Sequence, residues 1–397
     1  MIRAHVAEMS GRSACSLMRR YLALATLSWL AMTVVLVSLA SAHAEESEFG
    51  LWLKDQPFAV EHEYLRVNVG GRAVRLETII LKRIDARGRL PIALFNHGRP
   101  GNKYEALEQQ LFHEGAGYAR DLADRGWLAV AVGRRGFGAS DGPIQADNKM
   151  PCGRDLFTSW MNADADEIQA ALEVIAKRPD ADPTRVIALG ISAGGAASVA
   201  LGARNPQGLK AVINVAGGEN LSNCPAEPFI PADFTGYGSR GRVPNLWFFA
   251  RNDRRHPPPQ VELMRAAFSN GGGNVKLVML DPIGNDGHLA MSSVAGRNKW
   301  LPEMDKFLRA LNLPTWQQQE VDILMRRMKY NDRAYLEGYM SAATNKVLVR
   351  ATTNWDISLY RTDPMIDNAR KAAMSACQIK APRCEIVMEN DGWVGPQ

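Results

Sequence analysis

The chain has 397 residues, 46% apolar and 22% charged, with a formal net charge of +5. That length exceeds the roughly 250–300 residues a single hydrophobic core usually serves, so one main domain with an appendage is expected. No basic run carries interleaved aromatics and nothing is amphipathic enough for a membrane surface, which argues against nucleic-acid and membrane-surface partners.

The first 44 residues read as a signal peptide: Arg19 and Arg20, an uncharged stretch from Tyr21 to Ala40, then "SAHAEES", in which Ala42 and Ala44 form an A-x-A cleavage site. The apolar stretch is also long enough to span a bilayer of about 30 Å, so an uncleaved anchor is the competing reading. Met18 is an alternative start. Cleavage after Ala44 removes four basic residues and one acidic one, leaving 43 Lys and Arg against 41 Asp and Glu, a net charge of +2. The expected location is periplasmic or secreted, and no membrane contact is expected once the signal is cut.

Downstream, "EYLRVNV" and "RAVRLETIILKR" flank "GG" and read as an antiparallel hairpin. A series of β-branched, apolar runs follows at 90–96, 127–132, 185–191, 209–216, 245–250 and 275–280, making eight strands. Helices fit between them at about 105–125, 162–178, 193–204, 258–270 and 298–311. Strand–helix alternation with right-handed crossovers gives a mostly parallel, doubly wound α/β sheet, whose ligands bind beyond the carboxyl ends of the strands. The loops there are rich in glycine: "NHGRPG", "GRRGFGASDGP", "GISAGG" and "GNDGH".

From about residue 313 to 397 the alternation fades. Polar helical stretches at 316–342 and 364–377 and a short strand "CEIVME" suggest a small α-rich C-terminal appendage, giving a division into 1–44, 45–312 and 313–397. An exported chain meets an oxidising compartment in which disulfides persist. Cys377 and Cys384 are close enough to clip a short loop, and Cys152 with Cys224 could form a longer-range pair, although four cysteines allow three connectivities. No C-x-x-C or histidine cluster recommends a metal site.

"ALGISAGGAAS" (188–198) places Ser192 between a strand and a helix of small residues. G-x-S-x-G alone is a weak signal, but this context is the one a nucleophile elbow requires, with Gly190 and Gly194 lacking side chains where strand and helix approach. A serine hydroxyl is a poor nucleophile at neutral pH and needs a base that is itself oriented by an acid. Asp253 follows the strand "NLWFFA", and His288 lies in a glycine-bearing loop after the last strand. Of the other histidines, His62 precedes the first strand, His113 sits in a helical stretch, His256 is too near Asp253, and His97 is read as structural. Asp281 and Asp286 rival Asp253 but lie close to His288 along the chain. The N–H of Ala193 and that of Arg99, with Gly98 as the alternative, are the expected oxyanion donors.

These residues resemble the α/β-hydrolase superfamily, in its dienelactone hydrolase-like and prolyl oligopeptidase-like branch, over about residues 60–312. The resemblance implies an eight-stranded sheet, a Ser192–His288–Asp253 triad, an acyl-enzyme intermediate and no cofactor. Dienelactone hydrolases proper carry cysteine at the elbow, and prolyl oligopeptidases carry a large N-terminal propeller, whereas about fifty mature residues precede the "NHG" loop, so peptidase gating of that kind is not expected. The expected function is that of an exported carboxylesterase-type serine hydrolase. An acyltransferase, a short-peptide peptidase and a non-catalytic binding protein are the alternatives. The segment of 24 residues between "INVAGG" and "VPNLW" is too short for a full helical lid, so an open site for small or polymeric esters is expected. Arg99, Arg134, Arg135, Arg251, Arg254 and Arg255 near that face either bind a carboxylate on the substrate or serve the loops themselves.

Overall fold

A computed structural model describes residues 58–99, 116–143, 151–219, 224–353 and 358–396. The signal-peptide reading of 1–44 lies outside these, as do His113 and residues 105–115 of the first expected helix. The hairpin β1 (Phe58–Val69) and β2 (Arg72–Arg83) opens an eight-stranded sheet with β3 (Leu90–Asn96), β4 (Leu128–Val132), β5 (Ala181–Ile191), β6 (Leu209–Val215), β7 (Asn245–Ala250) and β8 (Val275–Leu280). The order is β1-β2-β4-β3-β5-β6-β7-β8, and the pairs beyond β2–β4 are parallel. β3 and β4 are apolar almost throughout and buried on both faces, as parallel strands sandwiched between helices must be.

The helices are α1 (Ala116–Asp124), α2 (Arg154–Ile175), α3 (Ala193–Gly202), α4 (Ile230–Arg240), α5 (Pro258–Asn270), the single turn α6 (Gly287–Ala290) and α7 (Val294–Ala310). Chain order reverses where β3 leads to β4 on one side while β5 joins β3 on the other. At such a switch point neighbouring loops leave the sheet in opposite directions and open a crevice. The turn after β3 and the turn after β5 therefore stand side by side, with Asn96 paired to Gly190.

Besides the single turn α6, one longer helix was absent from the sequence reading. The Pro- and Gly-rich segment before β7 holds α4, whose buried face Ile230, Asp233, Phe234 and Tyr237 follows helical spacing. Phe234 packs edge-on against Trp247 at 5.7 Å, so this helix belongs to the core layer.

The C-terminal region also departs from the α-rich expectation. The stretch 316–342 divides into α8 (Gln318–Met328) and α9 (Arg333–Ser341), because Lys329 adopts left-handed φ of 52° and Asp332 caps the next helix through the Tyr335 N–H. After α9 come β9 (Lys346–Ala351), β10 (Ser358–Thr362), α10 (Ile366–Gln378), β11 (Cys384–Glu389) and β12 (Gly392–Trp393). The four strands form an antiparallel sheet in the order β10-β9-β11-β12, making the region α+β. Along β9, Val347, Val349 and Ala351 pack with Ala369, Ala373 and Cys377 of α10, whereas Leu348 packs with Leu324, Leu336 and Tyr339 of α8 and α9. A strand covered on both faces should read as a continuous apolar run, and Lys346 and Arg350 interrupt this one, which is why it was not read as a strand.

Cys152 is bonded to Cys224 and Cys377 to Cys384. Residues Pro57–Gln397 form one compact unit. Where the C-terminal region meets the main sheet's helices, Asp305 accepts from Arg125 Nε at 2.6 Å, Arg125 Nη2 at 2.9 Å, Thr315 Oγ1 at 2.6 Å and Trp316 Nε1 at 3.1 Å. A buried charge needs such complete pairing to be tolerated.

Candidate active site

The turn between β5 and α3 puts Ser192 at φ 52°, ψ −123°, a conformation side chains rarely adopt and one that costs of order 1–3 kcal/mol. Close packing holds it there. A Cβ on Gly190 would come within 2.1 Å of the Gly194 carbonyl oxygen, and one on Gly194 within 2.0 Å of the Asn96 oxygen. The Ser192 N–H donates to the Val215 oxygen at 2.9 Å. The strain aims the serine hydroxyl off the sheet edge and into the crevice above β3 and β5.

His288 Nε2 stands 3.1 Å from Ser192 Oγ, and its Nδ1 stands 3.1 Å from Asp253 Oδ2. An ionised carboxylate can only accept, so Nδ1 carries the proton and Nε2 presents a lone pair to the hydroxyl. Asp253 Oδ1 accepts from the N–H groups of Arg255 at 2.8 Å and His256 at 2.7 Å. Burial works to raise the Asp253 carboxyl, but the hydrogen bond and charge of His288 and the His256 N–H outweigh it and hold it below the ordinary carboxylate range. The three side chains sit 96 and 35 residues apart along the chain and meet because β5, β7 and β8 end on one edge of the sheet.

The rival acids have other work. Asp286 caps α6, its Oδ1 accepting from the N–H groups of His288 at 3.0 Å and Arg254 at 3.3 Å, while the Asp281 side chain is 86% exposed and 3.9 Å from Arg251. Sequence reasoning passed over Asn252, the residue just before Asp253. Its Oδ1 accepts from the Ile283 N–H at 3.0 Å, and its Nδ2 donates to the Ile283 and Gly284 oxygens, tying the acid's loop to the histidine's.

Ala193 opens α3, where a helix leaves its first N–H groups without intrahelical partners. The chain after β3 crosses Ser192 closely: a Cβ on Gly98 would stand 3.3 Å from Ser192 Cβ and 3.5 Å from the Ile191 oxygen. Arg99 places its guanidinium 4.6 Å from the ring centre of the buried Trp160 on α2. His97 is fixed by its surroundings. Its Nε2 accepts from the Arg134 N–H at 3.1 Å and its Nδ1 donates to the Gly98 oxygen at 2.6 Å. Burial, with Arg134 beside it, pushes this imidazole well below its usual value, so it stays neutral and props the loop. Arg134 is committed to the His97 oxygen at 2.7 Å and to Asp164 at 3.2 Å, and Arg135 to Glu167 at 2.7 Å. These two serve the loops, as one of the two readings held.

Next to these three side chains, the His256 ring lies 5.5 Å from the His288 ring. Burial is the main cause that pushes His256 down to about 4, with His288 adding to it and Asp253 opposing. A histidine that titrates lower when folded takes up its proton more readily in the unfolded chain, so acidification favours unfolding between its unfolded value of about 6.5 and about 4. Thermal midpoints are therefore expected to fall as pH drops through that window, and to fall less steeply in His256→Asn. Equal slopes in calorimetric scans of the two proteins would contradict this assignment.

Among the described residues no group of three or more His, Cys, Asp or Glu is placed to hold a metal ion, and no helix is long and apolar enough to cross a membrane.

A strained serine at a strand–helix turn, with histidine and carboxylate delivered from later strands, is the architecture of an α/β hydrolase. The chain belongs to that family: the model of the alpha/beta hydrolase fold matches residues 91–367. Similar solved structures include an esterase of Pyrococcus furiosus, 14% identical, with 63% of this chain and 90% of that chain covered and a TM-score of 0.46. The acylaminoacyl peptidase of Pyrococcus horikoshii is 16% identical, with 68% of this chain and 44% of that one covered and a TM-score of 0.46. Est1E of Butyrivibrio proteoclasticus, solved with ferulic acid bound, is 16% identical, with 58% and 96% covered and a TM-score of 0.42.

Proposed function

We propose that this α/β hydrolase is an exported serine esterase that cleaves carboxylic esters through an acyl-enzyme on Ser192. The observation that carries the reading is the continuous chain of contacts from Asp253 through His288 to Ser192 Oγ. In the forward step Ser192 Oγ attacks the ester carbonyl and His288 Nε2 takes its proton. The negative charge on the carbonyl oxygen falls to the N–H of Ala193 and to that of Arg99 or Gly98, and losing one such donor typically costs about 2.7–4 kcal/mol. His288 then protonates the departing alkoxide, and water, activated by the same nitrogen, releases the acid. Asp253 keeps the imidazole in the tautomer this cycle needs. Small or polymeric esters suit a site over which the described residues form no full helical lid, and the two disulfides fit an oxidising compartment.

The test is turnover of p-nitrophenyl esters of graded acyl length beside a peptide anilide, with and without an added alcohol, followed by product analysis. Free acid is expected from short-chain esters, with no turnover of the anilide. Cleavage of the anilide alone would make the protein a peptidase, and accumulation of a new ester in the presence of alcohol would make it an acyltransferase.

A further inference from the structure

Among the described residues no hydrogen bond or ion pair joins the C-terminal region directly to the three side chains above, yet it is linked to one of them by a short chain of buried contacts. His288 sits on α6, a single turn with no further helix of its own to steady it. On its N-terminal side the turn is held by Asp286 and by the Gly287 N–H donating to the Asn252 oxygen at 3.1 Å. Its C-terminal side is held by α7. Trp300 Nε1 donates to the Met291 oxygen at 3.1 Å and Arg297 Nη1 to the Ser292 oxygen at 2.7 Å. A Cβ on Gly296 would come within 2.1 Å of the Ala290 oxygen, so α7 lies directly against the end of the turn.

Arg297 is itself held from the other side. It is 4% exposed, its Nε lies 2.8 Å from Asp121 Oδ2 on α1, and the other oxygen of Asp121 accepts the Thr344 N–H at 2.8 Å. Thr344 belongs to the chain just before β9. Around it Arg125 Nη2 donates to the Ser341 oxygen at 3.0 Å, and the Ala343 N–H donates to Asn298 of α7 at 2.8 Å. Main-chain groups of residues 341–344 thus grip both α1 and α7 at the point where Arg297 leaves for the histidine turn.

We infer that Arg297 is a positioning residue for His288, and that the C-terminal region, through Thr344 and Asp121, fixes Arg297 in the geometry that keeps His288 Nε2 in line with Ser192. This rests on the triad reading. A guanidinium suits the task because its extended, always-charged plane pairs with the Asp121 carboxylate while its Nη1 donates to the Ser292 oxygen, whereas an ammonium is a single point that cannot span both. Ser192 and His288 have only one 3.1 Å contact between them, and a shift of about 1 Å in such a pair can cost about a hundredfold in rate.

The experiment compares the full-length protein with Arg297→Lys and Asp121→Asn, the latter keeping an acceptor for the Thr344 N–H. The readouts are the acylation rate constant with a fluorophosphonate, kcat per titrated active site, KM, and the low-field proton resonance of the His288 Nδ1–H. Both variants are expected to acylate about ten- to a hundredfold more slowly with KM within about twofold, and to shift or broaden that resonance. Normalising to titrated sites separates this from a loss of folded protein, which would lower the amount of active enzyme without slowing each site. Wild-type acylation rates and an unmoved resonance in either folded variant would overturn the positioning role while leaving the triad intact. If the wild-type protein itself does not react, the triad reading fails and this inference falls with it.

Discussion

Replacing Ser192 by Ala is expected to lower kcat by about a million-fold with KM little changed, and His288→Ala to do nearly the same. The reason is in the contact itself: without the 3.1 Å partner at Nε2 the hydroxyl keeps its proton, and without the hydroxyl the imidazole has nothing to activate. The two act as a unit. The double variant should therefore lose no more than either single one, leaving about a thousand- to ten-thousand-fold over the uncatalysed rate from the N–H donors and substrate binding. Steady-state kinetics on the best p-nitrophenyl ester measures all three. Multiplying losses in the double variant, or a Ser192→Ala protein that retains a tenth of its activity, would mean that the nucleophile lies elsewhere.

Asp253→Asn is expected to cost about ten-thousand-fold in kcat. One side of the carboxylate receives the Arg255 and His256 N–H groups at 2.8 and 2.7 Å, so the amide oxygen of an asparagine must face them. Its NH2 then points at His288 Nδ1 and donates, which forces Nδ1 to become the acceptor and moves the ring proton to Nε2. A protonated Nε2 cannot take the proton of Ser192. Overall shape is preserved, so the effect should appear in kcat and in the nitrogen shifts of the ring, while the thermal midpoint moves little. A variant within about tenfold of wild type would show that Asp253 does not set the tautomer.

The main sheet could be read because each of its parts signals locally. Apolar runs such as "LPIALFN" and "NLWFFA" are too short for helices and are bounded by turn residues, and the glycines at 190 and 194 mark a close approach whatever follows. The Ser, Asp, His order then follows from strand order. What escaped was local structure whose cause is distant. Gly236 and Gly238 disguise α4 as a loop, and Gly238 is required because a Cβ there would come within 2.0 Å of the Phe268 oxygen, 30 residues on. In β9 the polar Lys346 and Arg350 interrupt an apolar run, yet both are buried, with partners in Asp391 at 2.8 Å and Glu385 at 2.5 Å. No rule of periodicity anticipates a buried lysine whose partner lies 45 residues later. Arg297 was passed over for the same reason, as one cation among many on a helix until Asp121 and Ser292 are placed around it.

The central claim is that Ser192 is an activated nucleophile. Its most direct test is incubation of the purified protein with a fluorophosphonate and location of the adduct by mass spectrometry, with Ser192→Ala as the control. A single stoichiometric adduct on the peptide containing Ser192, absent from the variant, is the predicted result. A folded protein that stays unmodified, or one modified equally in the variant, would contradict the account.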